Sequence, residues 1–355
     1  MTDSMASAVG SLRTFLEAPE SKSRHAWQDA GAAIDVQHSL SLSFRHSGWK
    51  RERRLVVEAL RRTGQPESRL SCFAACGTYS YVLRSLDDPT LYRIAGSACH
   101  DRFCLPCAKD RSNSIALNVL DQIVGKQVRF LTLTLKATDA PLPDQLDRLY
   151  DAFQTLRRRA FWKRKVTGGV AFLECKWIAR TGHWHPHFHI LIQGKFMPFQ
   201  NLKSLWYEIT GDSYIIDIRL VRDSLQASRY VTKYASKPFN SSFITRPDQL
   251  DESVLALKGR KLVVTFGTWR SVLLTRPVAT GAWEHVGTLD SIITRAANGD
   301  LSSAAILASL TDRDLSPLYA RAPPYVVDPP PTPPSFHQLT WFGVWQRAGA
   351  YRYPQ

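Results

Sequence analysis

Residues 183–192 read His183-Trp184-His185-Pro186-His187-Phe188-His189-Ile190-Leu191-Ile192, and this alternation constrains the fold more than any other stretch. In an extended strand, successive side chains point to opposite faces. His183, His185, His187 and His189 then share one face, while Trp184, Phe188 and Ile190 share the other and turn toward a core. Pro186 falls among the second set and suits an edge strand or a bulge, because it has no N–H to give to a ladder. Imidazoles make a poor core, but as neutral ligands they suit a divalent metal. Histidine alone favours zinc, copper or nickel; a nearby carboxylate shifts the preference toward manganese or magnesium. Glu174, in the strand expected just before, is the candidate carboxylate.

The flanking pattern predicts an α+β architecture. Residues 128–135 (VRFLTLTL) form a β-rich apolar run, expected as a buried strand. Leu146, Leu149, Phe153, Leu156 and Ala160 follow at helical spacing, and this helix is expected to run on into the basic segment RRRAFWKRK. Residues 169–178 and 183–193 read as neighbouring strands joined by a turn at Thr181-Gly182. A short helix at 199–209, a strand at 214–221 and a strand at 261–268 complete the pattern, with helices expected on one side of the sheet.

Asp223 and Ser224 are N-cap candidates for a helix reaching about Lys237. At about 100° per residue, Tyr230, Lys233, Tyr234 and Lys237 fall within a sector about 100° wide. Val231 and Ala235 lie elsewhere and suit packing. Phenols beside ammonium groups point to phosphoryl chemistry. A cation offsets the charge of a phosphodiester, a tyrosine oxygen attacks phosphorus, and lysines stabilise the developing charge. Two tyrosines four residues apart can alternate as nucleophiles.

Charge agrees with a polyanionic partner. Lys plus Arg number 46 against 31 Asp plus Glu, a net charge of +15, and phosphates reward such a surplus through counterion release. The run from Arg45 to Arg62 (RHSGWKRERRLVVEALRR) is expected as a helix whose basic face meets either DNA or solvent. No apolar run reaches transmembrane length and the N-terminus lacks the order of a secretory signal, so the protein is expected in the cytoplasm, away from membranes. Five of the six cysteines fall between Cys72 and Cys107, a clustering that suggests metal rather than disulfides in a reducing compartment. Four thiolates make a tetrahedral structural zinc site. Cys72, Cys76, Cys99, Cys104, Cys107 and His100 compete for the places, and Cys76, Cys99, Cys104 and Cys107 are favoured.

Three segments together resemble the HUH endonuclease superfamily and, within it, the rolling-circle replication initiators (Rep proteins) of plasmids and single-stranded DNA phages. They are Phe130-Leu-Thr132-Leu-Thr134, the His187-Phe188-His189 core of HPHFHILI, and Tyr230-Val-Thr-Lys233-Tyr234, in that family's order. The resemblance implies a central antiparallel sheet with flanking helices. It implies His187 and His189 as metal ligands, with Glu174 or His185 completing the site. Tyr234 would be the main nucleophile, leaving a 5′-phosphotyrosine link and a free 3′-hydroxyl at the replication origin. Some plasmid initiators carry a glutamate where Tyr230 stands; this chain resembles the two-tyrosine arrangement instead. The segment Arg102-Phe-Cys104-Leu-Pro106-Cys107 resembles the cysteine-rich region upstream of those motifs in many Rep proteins and related transposases.

The expected organisation is a basic N-terminal arm (1–69), a cysteine-rich zinc module (70–125), a nicking domain (126–275), a C-terminal helical extension (276–321), and a proline-rich linker with an aromatic tail (322–355). The tail either docks on the domain or meets a partner. The expected partners are single-stranded or hairpin origin DNA and, since no P-loop is visible, a host helicase and polymerase. The expected metals are Mn2+ or Mg2+ at the histidines and Zn2+ at the cysteines. Two alternatives are a transposase of the same superfamily with the same chemistry, and a non-catalytic zinc-containing DNA-binding protein.

Overall fold

The computed structural model describes residues 40–46, 49–222, 227, 230–231, 234, 241–275 and 282–310. Among the described residues three helices come first: α1 (Leu40–Arg45), α2 (Lys50–Arg62) and α3 (Glu67–Ala74). A hairpin follows, β1 (Ser80–Ser85) and β2 (Tyr92–Gly96), and then α4 (Leu105–Ile123). The boundary expected between an arm and a cysteine module at residues 69 and 70 falls inside α3. Phe44, Trp49, Val56 and Leu60 are buried in the same core as Phe73 and Cys76. Apolar residues spaced along a basic stretch dock α2, which the charge run concealed.

The central sheet begins with β3 (Val128–Thr134). After it come α5 (Leu142–Arg158), α6 (Ala160–Lys165), β4 (Val166–Ile178), β5 (His183–Gly194), α7 (Phe199–Thr210) and β6 (Ile216–Leu220). Then α8 (Ser241–Ile244) and α9 (Pro247–Ala256) precede β7 (Val263–Gly267). The five strands are antiparallel throughout, in the order β6-β3-β5-β4-β7. The expected helix does not run on past Arg158: Arg159 is extended (φ −64°, ψ 140°) and Ala160 is exposed. That break redirects α6 so that Trp162 packs against Phe153 and Phe266. Pro186 is not on an edge strand, since β5 is the middle strand. It lies one residue past the point where β3 stops pairing, Thr134 opposite His187, so only β4 flanks it.

The sheet is covered on both faces, not one. Behind it, Leu131, Leu133, Leu173, Phe188, Ile190 and Phe266 pack with α5, α7 and α9. Glu252 of α9 ties this layer down: it accepts from the Trp184 indole and from the Leu142 backbone N–H, both at 2.6 Å. On the other face, Phe130, Val170, Phe172 and Leu191 pack with Ile115, Ala116 and Val119 of α4 and with Ala227 and Val231. Residues 283–288 are not helical: β8 (Trp283–Thr288) pairs with β1 in a second, three-stranded sheet, β2-β1-β8. Helices α10 (Leu289–Ala297) and α11 (Leu301–Ser309) close the described chain. The proline-rich linker and aromatic tail lie outside the described residues.

Two glycines hold the β4–β5 hairpin. Gly182, in the turn, takes φ +69°, a conformation costly for any side chain. A Cβ on Gly169 would stand 2.2 Å from the Leu191 carbonyl oxygen, so a side chain there would part the strands. The rings of Tyr150 and Phe153 stand 5.1 and 5.2 Å from Phe188, which is fully buried. Phe188→Ala should cost about 3–5 kcal/mol, read as a lower urea midpoint at unchanged slope.

Candidate functional site

Glu174 stands directly across from His187 in the β4–β5 ladder, with Phe172 across from His189. One carboxylate oxygen, Glu174 Oε2, lies 2.9 Å from His187 Nε2 and 2.8 Å from His189 Nε2. All three residues are buried. Burial pushes the Glu174 carboxyl up, but hydrogen bonds from the two histidines, and their charge, outweigh it and hold the group well below the usual carboxylate range.

The other ring nitrogens are also engaged. His187 Nδ1 lies 3.1 Å from the His185 carbonyl oxygen, which can only accept, so Nδ1 donates there and anchors the ring with Nε2 toward Glu174. His189 Nδ1 faces Thr132 Oγ1 at 3.3 Å and the Tyr230 hydroxyl at 3.4 Å. Two imidazole nitrogens converging on a carboxylate, each ring anchored through its second nitrogen, fit a divalent cation. His185 does not join this group: it is more exposed, and its ring stands 5.2 Å from that of His187. Burial, then the neighbouring His187 and Lys176, lower its basicity. His183 is half-buried at the start of β5.

Both tyrosines, each in helical conformation, reach this face. Tyr234 stacks on His189, ring centroids 3.4 Å apart and planes 18° apart. Tyr230 stacks on Phe130 at 3.8 Å, also at 18°. Burial pushes the Tyr230 phenol well above its ordinary value, despite a hydrogen bond with Thr132. Lys233 and Lys237, and the N-cap candidates Asp223 and Ser224, lie outside the described residues. Phe130 and Thr132, which spacing alone marks only as part of a motif, pack against Tyr230 and bond to His189, respectively. Asp217 and Arg219 of β6, absent from the sequence-derived candidates, stand opposite Thr132 and Phe130 and pair with each other at 3.0 Å. The alternation Ile216-Asp217-Ile218-Arg219 carried that signal.

The cysteine cluster forms a second donor set. Cys76 Sγ lies 3.7 Å from Cys104 Sγ and 3.6 Å from Cys107 Sγ, and Cys99 Sγ lies 3.7 Å from Cys107 Sγ. Ligands at about 2.3 Å from a tetrahedral zinc are about 3.8 Å apart, so the spacing fits that ion. Cys72 is exposed and outside the set. His100 is exposed too; its φ of +51° turns the loop between Cys99 and Cys104. Arg45 is fully buried against this cluster, 3.3 Å from Cys107 Sγ and 2.9 Å from Asp110. Burial would lower its basicity, but Asp110 and the sulfurs outweigh it and raise it. Hydrogen bonds from Cys104 and Cys107 hold the Cys76 thiol well below its ordinary value. The basic run is therefore only partly a surface. Arg53 donates to the Phe73 and Ala74 carbonyls and Arg62 pairs with Asp251, leaving Lys50, Arg51, Arg54 and Arg61 as its exposed cations.

A family model described as a replication protein (Rep_1) matches residues 91–273. The chain is 26% identical over 209 residues to a Staphylococcus aureus protein named Protein rep, covering 53% of this chain and 90% of that one. It is 24% identical over 228 residues to a Protein rep from a Bacillus species, covering 53% and 74%. It is 25% identical over 169 residues to a Streptococcus pneumoniae Protein rep, covering 45% of this chain and half of that protein's length. No solved structure matches.

The cysteine geometry has a spectroscopic consequence. Co2+ added to reduced, metal-stripped protein should give the intense visible bands of a tetrahedral thiolate site, one ion per cluster. Cys104→Ser should abolish the four-sulfur spectrum and Cys72→Ser should leave it unaltered. The reverse pattern would refute the ligand set.

Proposed function

The chain belongs to the Rep_1 replication protein family, and from that premise we propose that it initiates rolling-circle replication by nicking single-stranded or hairpin origin DNA with Tyr234 as nucleophile. One observation carries the reading: the Tyr234 ring lies on His189, whose Nε2 meets Glu174 Oε2 at 2.8 Å beside His187. His187, His189 and Glu174 would hold a divalent cation, Mn2+ or Mg2+, which when bound offsets phosphodiester charge and polarises phosphorus.

The chain's own residues supply the rest. The Tyr234 oxygen attacks phosphorus as the bond to the 3′ oxygen breaks, giving a 5′-phosphotyrosine and a 3′-hydroxyl. The proton lost by the phenol balances the one gained by the departing oxygen. Lys233 and Lys237, close to Tyr234 in sequence, would stabilise the charge that develops. Thr132 orients His189, and the β4–β5 register holds Glu174 against both histidines. Strand transfer conserves the phosphodiester energy, so a 3′-hydroxyl can later reverse the step. The four-cysteine cluster would carry structural Zn2+ and brace α4. A host helicase and polymerase would extend the free 3′ end. Among the described residues no helix is long and apolar enough to cross a membrane.

The test uses Mn2+ and labelled single-stranded DNA from the protein's own replicon, resolved on a denaturing gel. Wild type should form a covalent protein–DNA adduct. Tyr234→Phe and His187→Ala should each lose it, by about 10^3-fold or more. DNA binding without any wild-type adduct would instead indicate a non-catalytic DNA-binding protein.

A further inference from the structure

The two tyrosines, equivalent by helical spacing, meet different surroundings. His189 presents Nε2 to Glu174 Oε2 at 2.8 Å and, on the opposite side of its ring, Nδ1 to the Tyr230 hydroxyl at 3.4 Å and Thr132 Oγ1 at 3.3 Å. The imidazole therefore stands between the Tyr230 oxygen and the point where the nitrogens and the carboxylate converge. The Tyr230 ring is clamped as well, parallel to Phe130 at 3.8 Å, with Tyr234 edge-on at 4.7 Å. Tyr234 lies flat against the face of His189 and not at the end of its Nδ1 bond. To reach a phosphate, Tyr230 would have to leave both its stack and its hydrogen bond.

We propose that Tyr230 is a positioning residue for the metal ligand His189 rather than a second nucleophile; this rests on the reading of the Glu174–His187–His189 site given above. The His189 Nδ1–H donates to the hydroxyl oxygen of Tyr230, shared with Thr132. With a cation between Nε2 and Glu174, Nε2 would have to offer its lone pair, and this bond would keep the ring proton on Nδ1 and fix the plane of the ring. Partners of this kind are worth about 10- to 100-fold in metal affinity. Phe130, next but one to Thr132 on β3, serves the same end by stacking on the Tyr230 ring.

The experiment compares the full-length protein with Tyr230→Phe, which keeps the ring and its stack and removes only the hydroxyl. Mn2+ affinity is measured without DNA, by counting free Mn2+ in an electron paramagnetic resonance titration. Tyr230→Phe should bind Mn2+ about tenfold more weakly, and Tyr234→Phe should bind it as wild type does. Adduct formation by Tyr230→Phe should need about tenfold more Mn2+ for half its maximum. Trypsin cuts after Lys233 and separates the two tyrosines, so mass spectrometry should find the DNA-bearing peptide to contain Tyr234. Unchanged Mn2+ affinity in Tyr230→Phe, or a wild-type adduct on Tyr230, would overturn the proposal. A wild type that forms no adduct would overturn the nicking reading instead, while the DNA-free Mn2+ titration still decides the role of Tyr230.

Discussion

Everything at the site depends on the register of β4 against β5. Glu174 meets His187 and His189 because it stands opposite His187 in an antiparallel ladder running from Ile178–His183 at the turn back to Val166–Gly194. Side chains in a strand alternate with period two, so a slip of one residue would carry the carboxylate to the back face, among Trp184 and Phe188. A buried carboxylate without its partners is costly, and the apolar residues displaced to the site face would lose their packing. Gly182 sets the turn and Gly169 lets the strands approach. The register is thus held by the same alternation that makes the site.

The two faces of the sheet divide the labour. The back face is aliphatic and aromatic, closed by α5, α7 and α9. The site face is assembled from segments distant in sequence: Phe130 and Thr132 on β3, Glu174 on β4, His187 and His189 on β5, and the two tyrosines. Its far wall is α4, whose Ile115, Ala116 and Val119 join the same apolar cluster as Phe130 and Val231. Cys104 and Cys107 lie at the start of that helix. The cysteine cluster therefore braces a wall of the site through a rigid helix of 19 residues rather than standing apart as a separate module.

Charge counting overstates the surface offered to nucleic acid. Arg45 is held by Cys107 and Asp110, Arg53 by the Phe73 and Ala74 carbonyls, and Arg62 and Arg69 pair with Asp251 and Asp101. Part of the +15 balance is structural. The exposed members of α2, Lys50, Arg51, Arg54 and Arg61, remain for long-range attraction of a polyanion.

Short-range periodicity made much of this legible. The histidine alternation gave a strand with two unlike faces. The apolar runs gave β3, β4, β6 and β7 to within a few residues, and the cysteine spacing singled out the four sulfurs that the fold brings together. Period and spacing, however, report only which residues share a face of one element. They could not show that β5 is central, that α4 crosses the site face, or that β8 returns to pair with β1, because those contacts join residues far apart in the chain. Nor could they choose Glu174 over His185. That choice follows from cross-strand register, which brings the Glu174 carboxylate between two imidazoles and leaves His185 outside. Spacing along the chain is enough to pick out the donors and the phenols. That His189 stands between Tyr230 and the other converging donors, while Tyr234 lies against the ring, comes from the fold, because helical spacing fixes a direction and packing fixes what is met there.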